Sequence, residues 1–543
     1  MSKTPNYDQK VKAILDATQP GERTCAMLGT KWFMDQKEIE QYKKYNVPPS
    51  KFHPITRMKL MKSFFVLFDM WYNKHAETGE TIISTTHPAS GVKVLPDIDW
   101  FSREFTKHAK DVDMNRSVFD QIYEMTRAVP QAANYNYVLP ENSLAFISLG
   151  DQDSYFVLAS QTKHCFYCMN AYESEDSAEL TLCTSIQNSY NVCHSQRIFN
   201  CRFVRESYDC MSCDFIFDCR NCENCFGATN KRNKKFIWMN QQLSEDEWKK
   251  RKAKVDLSSW SSRQEYESKF KELMSKAIWP ENFNIKAENC TGDYIVNANN
   301  VTNGYYVVDG THDMDYVSFA FAVPSNDCYL TIAPVGATDC YYSLGTKNCS
   351  WCRFGISILS NCINIEYCSS CKDLENCFGC VGLKKKKFCI FNKQYSEDEY
   401  WKTLDELKCK MLDDGEYGDY PPMNFTLQYV KGSGAPIVYG ATDDEMKKMG
   451  ANFFEPGAEG AEGPTVNPAE LTSTDTIPDK LENPEDIVGK PYFDDIYGRR
   501  YGYIRAEIDL YSRLGVAVPR KHPTRRINEL YAQMNMAVFE DKQ

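Results

Sequence analysis

Long hydrophobic runs are missing from this 543-residue sequence. The most apolar stretch, residues 63–71, is far shorter than the ~20 residues that a membrane-spanning helix needs. Residues 1–10 are polar and lack the apolar core of a secretory signal peptide. The sequence therefore predicts an intracellular, cytoplasmic protein with no membrane partner.

An excess of basic charge is also missing. The net charge is −11 at pH 7, and residues 413–489 contain 16 acidic and only 4 basic residues. The rest of the chain is close to neutral, so it lacks the basic surface that proteins use to bind nucleic acids irrespective of sequence. We expect no general nucleic-acid binding.

Recognisable catalytic motifs are scarce as well. The sequence has no glycine-rich phosphate-binding loop, no Gly-x-Ser-x-Gly turn and no His-Glu-x-x-His helix. His164-Cys165 and Cys193-His194 are adjacent pairs, but neighbours on a strand point to opposite faces, which does not suit a nucleophile and its base. No residue is therefore predicted to be catalytic, and the sequence favours a protein that is not an enzyme.

Cysteine, in contrast, is abundant and clustered. Of the 23 cysteines, 21 lie between Cys165 and Cys389. Because disulfides are rare in the reducing cytosol, the cluster indicates free thiols or metal ligands.

The sequence repeats itself at two offsets. Residues 223–247 match residues 375–399 at an offset of 152, with Glu-Asn-Cys-Phe-Gly and Ser-x-x-Glu in both copies. Residues 38–57 match residues 507–526 at an offset of 469, through Glu-Ile-x-x-Tyr and His-Pro-x-x-Arg. Such duplication indicates a fold assembled from small units.

Residues 142–240 and 286–392 alternate short aromatic or β-branched stretches with polar turns. The turns carry Asn-Cys, Asp-Cys or Asp-Tyr pairs, such as Asp315-Tyr316, and recur every 9–13 residues. This pattern is typical of a β-solenoid, in which each coil buries its apolar face by stacking on the next. A stack of separate hairpins is the alternative. Capping boxes at Ser244 and Ser396 predict a helix after each segment.

The cysteine-rich blocks contain a candidate zinc site, because four Cys or His ligands in a tetrahedron form a structural zinc centre. The alternative is a ladder of buried thiols, since free Cys packs as a small apolar residue. The predicted cofactor is accordingly none or zinc. The densest set of candidate ligands is Cys210, Cys213, Cys219 and Cys222.

The two end modules resemble a zinc ribbon, which holds one metal between two Cys-x-x-Cys-type turns. In the first module the candidate ligands are Cys25, His53 and His75. Leu28 and Thr56 occupy two of the four ligand positions, so we expect apolar packing to replace the metal.

Together these patterns predict a mainly β, α+β multidomain fold with two cysteine-rich β-solenoid-like blocks, each closed by a capped helix, between degenerate zinc-ribbon-like modules. The predicted segments are a first ribbon-like module (1–95), a mixed connector (96–141), repeat block 1 (142–240), a helical segment (241–285), repeat block 2 (286–392), a helix (393–412), an acidic Gly/Pro-rich linker (413–489) and a second ribbon-like module (490–543).

The whole order of modules carries a family resemblance. Its residues are the Cys25, Glu38, Tyr42, His53-Pro54 and Arg57 segment, Thr78-Gly79, both Glu-Asn-Cys-Phe-Gly blocks, and the Gly498, Glu507, Tyr511, His522-Pro523 and Arg526 segment. The chain resembles uncharacterised cysteine-rich repeat proteins of candidate-phyla bacteria and large DNA viruses, a family that implies no established activity. Some relatives carry a class III CoA-transferase label, but the alternating β-α-β pattern of such α/β enzymes is not found here.

We therefore predict a non-enzymatic structural, scaffolding or protein-interaction protein that binds protein partners or assembles with itself. The resemblance extends this expectation to a minor capsid or virion-associated component. A zinc-dependent module that binds nucleic acid or protein is the alternative, and an enzyme of unknown class is a second alternative.

Overall fold

Two β-solenoids form the body of the protein, and helices and hairpins pack around them. A computed structural model describes residues 2–65, 67–308, 310–321, 323–457, 460–461, 463, 467 and 470–537. The mainly β fold with additional helices is confirmed, and parallel strand pairing throughout both cysteine-rich blocks confirms a solenoid over separate hairpins.

Helices and short strand pairs precede the first block. The N-terminal module and connector contain α1 (Pro5–Ala17), β1 (Gly21–Thr24), β2 (Lys31–Met34), α2 (Gln36–Tyr45), α3 (Pro54–Lys62), β3 (Trp71–Lys74), β4 (Thr81–Ser84), β5 (Val94–Leu95), α4 (Asp97–Ser102), α5 (Val118–Ala128) and β6 (Gln131–Ala132). Block 1 contains β7 (Leu144–Phe146), β8 (Tyr155–Leu158), β9 (Gln161–Lys163), β10 (Phe166–Glu175), β11 (Ala178–Gln187), β12 (Tyr190–Cys193), β13 (Gln196–Phe199), β14 (Arg202–Arg205), β15 (Tyr208–Met211), β16 (Asp214–Phe217), β17 (Phe226–Thr229), β18 (Ile237–Trp238) and β19 (Gln241–Gln242).

Two helices then lead into the second block. They are α6 (Glu245–Lys252) and α7 (Trp260–Ser275). Block 2 contains β20 (Ile285–Glu288), β21 (Gly292–Val308), β22 (His312–Ala320), β23 (Tyr329–Ile332), β24 (Tyr341–Leu344), β25 (Thr346–Lys347), β26 (Leu359–Ser360), β27 (Ile363–Glu366), β28 (Cys371–Lys372), β29 (Glu375–Phe378), β30 (Lys387–Ile390) and β31 (Lys393–Gln394). The remaining elements are α8 (Glu397–Asp414), α9 (Gly434–Tyr439), α10 (Asp443–Lys448), β32 (Tyr492–Asp494), β33 (Arg499–Tyr501), α11 (Arg505–Leu514) and α12 (Pro523–Tyr531). Within the described residues, no helix combines the length and the apolar character needed to cross a bilayer.

A three-residue period generates the solenoid. From His164 to Asn233 every third residue has a left-handed φ, so the chain turns a corner after each three-residue side. Four sides complete a coil of twelve residues, as the register Phe166↔Ala178↔Tyr190 shows. Asn, Asp and Gly tolerate this conformation best, which explains why the corners are rich in Asn.

The interior of each coil admits small side chains. One residue per side points inward, and residues twelve apart stack into a column because neighbouring coils are in register. One such column, each member completely buried, is Cys165, Ser177, Ser189, Cys201, Cys213 and Cys225. Close packing of such a narrow interior favours Cys, Ser, Ala and β-branched residues over larger ones.

Hydroxyl and thiol groups in these columns bond neighbouring coils together. Ser189 Oγ donates to the carbonyl of Gln187 at 2.7 Å and accepts the backbone N–H of Cys201 at 3.0 Å. Cys213 Sγ makes the same two bonds, at 3.2 and 3.4 Å. Each group therefore satisfies its own polar atoms inside the apolar interior.

The smallest structural repeat is one side of three residues, which is shorter than the 9–13-residue spacing read from the sequence. Block 2 also departs from twelve residues at some coils, as the pairs Asp315↔Tyr329 and Arg353↔Glu366 show. Tyr316, grouped with the cysteines in the sequence, instead occupies a left-handed corner with a φ of 51°.

Hairpins and capped helices close the C-terminal ends of both blocks. β18 pairs antiparallel with β19, and β30 pairs antiparallel with β31, so neither block ends in a parallel edge that is open to further pairing. Ser244 Oγ accepts the N–H of Glu247 at the start of α6, and Ser396 forms the complete reciprocal capping box at α8. The helices predicted after each block are confirmed.

The two end modules pack on the blocks in crossed order. Helix α3 of the N-terminal module packs on β23 and β24 of block 2, whereas α12 of the C-terminal module packs on β10, β11 and β12 of block 1. The chain thus closes on itself, with each end docked on the block that is farther from it in sequence.

The acidic segment packs against other parts of the same chain. Within residues 413–489, Met423, Val430 and Met446 are buried. The Gly434 N–H donates to the carbonyl of Phe65 at 3.1 Å. The described part of this segment is therefore packed against the body of the protein through backbone bonds and apolar side chains, although its composition is that of a linker.

Candidate functional site

The four candidate zinc ligands of block 1 lie in the solenoid interior but do not converge on one point. Cys222 hydrogen-bonds with the thiols of Cys210, Cys219 and Cys225, whereas Cys213 bonds with Cys201 and Cys225 in its own column. Among the described residues, the only three potential metal ligands whose ligand atoms all lie within 4.8 Å of one another are elsewhere, around His164. The arrangement is a ladder of pairwise contacts.

Hydrogen bonds between thiols and burial both shift the pKa values of the interior cysteines. Removal from water raises the pKa of Cys183 to about 12, and burial also raises the pKa of Cys213. The sulfurs accept backbone N–H groups of the next coil, as at Cys225, whose N–H lies 3.4 Å from Cys213 Sγ. The interior cysteines therefore work as hydrogen-bonding packing groups.

The group around His164 belongs to a surface ion network. His164 Nδ1 lies 3.6 Å from an oxygen of Asp176, and Arg513 pairs with the same carboxylate at 3.0 Å. Lys163 pairs with Glu175 at 3.2 Å. The carboxylates of Asp176 and Glu175 thus already have basic partners, and the partner of Asp176, Arg513, belongs to α11.

The first ribbon-like module places Cys25 and His53 on facing turns and His75 on a separate hairpin. Cys25 Sγ contacts Thr56 Oγ1 at 3.6 Å. His53 Nδ1 accepts the N–H of Ile55, and its ring packs 5.8 Å from the ring of Trp32. A hydroxyl and an indole thus lie beside the two ligand-type residues Cys25 and His53.

The likeness of a third hairpin to the hairpins of the two end modules was missed in the sequence. β3 and β4 flank the turn that begins at His75, and His87 then starts a short helical turn through its Nδ1, which accepts the N–H of Ala89. His53 and His522 cap their helices in the same way. The signal that could have revealed this copy is the Thr78-Gly79 turn followed by His87-Pro88, which repeats the turn and His-Pro pair of the first module.

Buried clusters of Glu, Tyr and Arg fasten each end module to its block. Glu38 Oε1 accepts bonds of 2.6 Å from both Tyr42 and Arg57, and the Tyr42 ring packs against Tyr341 of block 2. Both charged side chains of this cluster are fully buried.

The C-terminal copy extends its cluster across the interface. Arg526 Nη1 donates to Glu179 of block 1 at 2.6 Å and to the Tyr511 hydroxyl at 3.0 Å. Tyr167 of block 1 donates to the carboxylate of Glu507, whose pKa burial raises to about 7. The duplicated Glu-x-x-x-Tyr and His-Pro-x-x-Arg segments therefore hold each end module against its block.

The two blocks meet around a buried histidine. The His194 ring lies 4.1 Å from the ring of Tyr294, whose hydroxyl donates to Glu206 at 2.7 Å. Burial lowers the pKa of His194 to about 3 and raises that of Glu206. The His194 ring is therefore uncharged at neutral pH, which suits a contact between two folded blocks.

A cavity of about 200 Å³ lies between the blocks, beneath α3 and α9. Its walls are mainly hydrophobic, and Lys62 at the end of α3 is the buried charge-bearing residue in them. Nothing in the sequence distinguishes Lys62 from the other basic residues of α3, because only the tertiary packing places it in the cavity.

Comparisons with known proteins identify no family. No protein-family model and no curated protein matches the chain. One solved structure, described as that of an acetyltransferase from Desulfovibrio desulfuricans G20, aligns over 51% of this chain and 79% of its own, at 8% identity and a TM-score of 0.10. So weak a likeness says nothing about the function of this protein.

Proposed function

We propose that the protein is a non-enzymatic structural protein that assembles with copies of itself through the outer faces of its solenoid blocks. The observation that carries this proposal is an exposed apolar residue at the same place in both blocks. Met211 is 43% exposed, and Ile363, 152 positions later, is 50% exposed.

The surroundings of these two residues are duplicated as well. On the next two coils Met211 is followed by Glu223 and Lys235, and Ile363 by Glu375 and Lys387. The Glu and Lys of each pair form an ion pair. A single exposed apolar residue is ordinary, but a patch repeated on one chain lets each copy contact two neighbours.

The fold supports such a role. Crossed docking joins the ends and the two blocks in one body, and repeat surfaces offer extended faces to partners. On the resemblance to proteins of large DNA viruses, we extend the proposal to a minor capsid or virion-associated component.

The experiment measures molar mass by light scattering across a concentration series. We expect the mass of the wild type to rise with concentration, and Met211→Glu with Ile363→Glu to leave a monomer. Burying each side chain contributes about 1.5–3 kcal/mol, so the association constant should fall at least about tenfold. Ile98→Glu with Ile496→Glu, at sites 64% and 79% exposed, is the matched charge control and should assemble normally. A wild type that stays monomeric, or a double variant that assembles like the control, would refute the proposal.

A further inference from the structure

Lys62 presents a buried amine to the cavity between the blocks. The residue is 1% exposed and lines the cavity. Its Nζ lies 4.3 Å from the ring centre of Phe65 and 4.0 Å from that of Phe319. Among the described residues no carboxylate pairs with this amine, so its neighbours are aromatic faces and the cavity itself.

The fold directs the lysine into this position. The aliphatic stem of Lys62 passes so close to Gly434, at the start of α9, that a Cβ there would lie 2.3 Å from Lys62 Cγ. A side chain at this position of α9 would therefore displace the lysine. Glycine here lets α9 hold the stem and point the amine at the cavity.

The cavity walls are apolar. Block 1 contributes Ala159 and Met169, block 2 contributes Phe319 and Val335, and α9 contributes Val438. The volume of about 200 Å³ is somewhat larger than the roughly 150 Å³ apolar cavity that accommodates benzene. A compact ring or a short alkyl chain therefore fits.

The other ionisable groups around the cavity supply no negative charge. They are Lys347, whose Nζ lies 4.5 Å from the Tyr137 ring, and the hydroxyls of Tyr137, Tyr172 and Tyr531. Burial raises the pKa of all three tyrosines, so they are neutral near pH 7. An anion that pairs with Lys62 must therefore come from outside the described residues of the cavity.

We propose that this cavity binds a small carboxylic acid with an apolar body, whose carboxylate pairs with the Lys62 ammonium group. A single buried cation in hydrophobic walls matches one monoanionic headgroup. A phosphate dianion would need additional donors to compensate for its loss of water.

Isothermal titration calorimetry of the full chain with octanoate at pH 6 tests the proposal, with 1-octanol as the uncharged probe of the same length. We expect the wild type to bind octanoate. Lys62→Met keeps the length and the apolar stem but removes the charge. It should weaken octanoate binding at least tenfold and leave 1-octanol binding within twofold.

Ala159→Leu is the second variant, because it fills the cavity and leaves Lys62 in place. It should weaken the binding of both probes, whereas Ile98→Glu, at an exposed site that does not line the cavity, should change neither. Thermal unfolding establishes that each variant is folded. The absence of octanoate binding to the wild type would overturn the proposal, as would equal octanoate affinity of the wild type and a folded Lys62→Met or Ala159→Leu variant.

The pH dependence provides a further measurement. Burial lowers the pKa of Lys62 to about 7. Octanoate affinity should therefore fall about tenfold per pH unit above pH 7, as the amine loses the proton needed for pairing. In Lys62→Met the residual affinity should not change between pH 6 and 8.5, and a parallel fall in that variant would count against the assignment.

Discussion

At the scale of single residues, the interior column from Cys165 to Cys225 favours two properties of a side chain at once. The side chain has to be small, and a hydroxyl or thiol must donate to the chain two residues before it and accept from the next coil. Cys and Ser meet both demands, and for this reason both occur in this column. Free thiols thus contribute close packing and hydrogen bonds between coils to the solenoid.

Replacing Cys213 tests this role. Cys213→Ser preserves both hydrogen bonds, because Ser189 already makes them in the same column, and should change the free energy of unfolding by less than about 1 kcal/mol. Cys213→Leu should cost about 1–3 kcal/mol through overpacking. Urea unfolding measures both values.

The same variant bears on the zinc alternative. A serine hydroxyl is a poor substitute for a thiolate ligand of zinc. If Cys213→Ser both removed bound zinc, measured by elemental analysis, and destabilised the protein by several kcal/mol, the packing role would be wrong and the zinc-dependent module would replace it.

At the scale of elements, a hairpin followed by a histidine-capped helical turn occurs three times, with different residues around each histidine. β1–β2, β3–β4 and β32–β33 each precede a histidine whose Nδ1 accepts a backbone N–H at a helix start. The ring of His87 packs against Trp71 at 4.5 Å, and that of His522 against Tyr497 at 4.8 Å. Aromatic contacts thus surround the histidines of a ribbon-like element.

Helix α11 carries the group with the clearest expected pH effect. Burial raises the pKa of Glu507 from 4.5 to about 7, so between these values the folded protein keeps a proton that the unfolded chain releases. The stabilisation from this proton is complete below pH 4.5 and is lost as the pH rises to 7, by up to roughly 3 kcal/mol.

Glu507→Gln isolates this effect. Gln stays uncharged and its carbonyl can still accept the bond from Tyr167, so the wild type should lose stability relative to the variant as the pH rises from 4.5 to 7. Urea unfolding of both proteins at each pH gives the difference, in which unrelated groups cancel. A difference that stays constant with pH would contradict the assignment.

At the scale of the whole molecule, the crossed docking makes the ends part of the cooperative unit. Arg526→Met leaves the buried Glu179 without its partner, and breaking a buried ion pair in this way costs about 3–5 kcal/mol. Calorimetry should show a lower melting temperature or an early separate transition for the C-terminal module.

Arg513→Met is the matched control. Arg513 is 59% exposed and pairs with Asp176 on the surface, so its loss should cost no more than about 1 kcal/mol. Equal melting temperatures for the two variants would mean that the Arg526 cluster does not hold the module in place.

Features that depend on neighbouring residues could be predicted from the sequence, whereas features that depend on contacts between distant segments could not. The solenoid class and the capped helices depend on local sequence patterns, such as the Ser396 capping box, and could therefore be predicted. The three-residue period was hidden because Cys, Ser, Ile and Val share the interior positions. The docking of α3 on block 2 and the placement of Lys62 depend on contacts between distant segments, which no spacing in the chain records.

The crossed docking also sets an order of events during synthesis. Helix α3 is synthesised long before β23 and β24, on which it packs. Likewise, β10 to β12 are synthesised long before α12, which packs on them. Each nascent half therefore displays an uncovered aromatic flank until the opposite end is made. A prematurely terminated chain never covers that flank, so quality control has a structural mark by which an unfinished copy differs from a finished one.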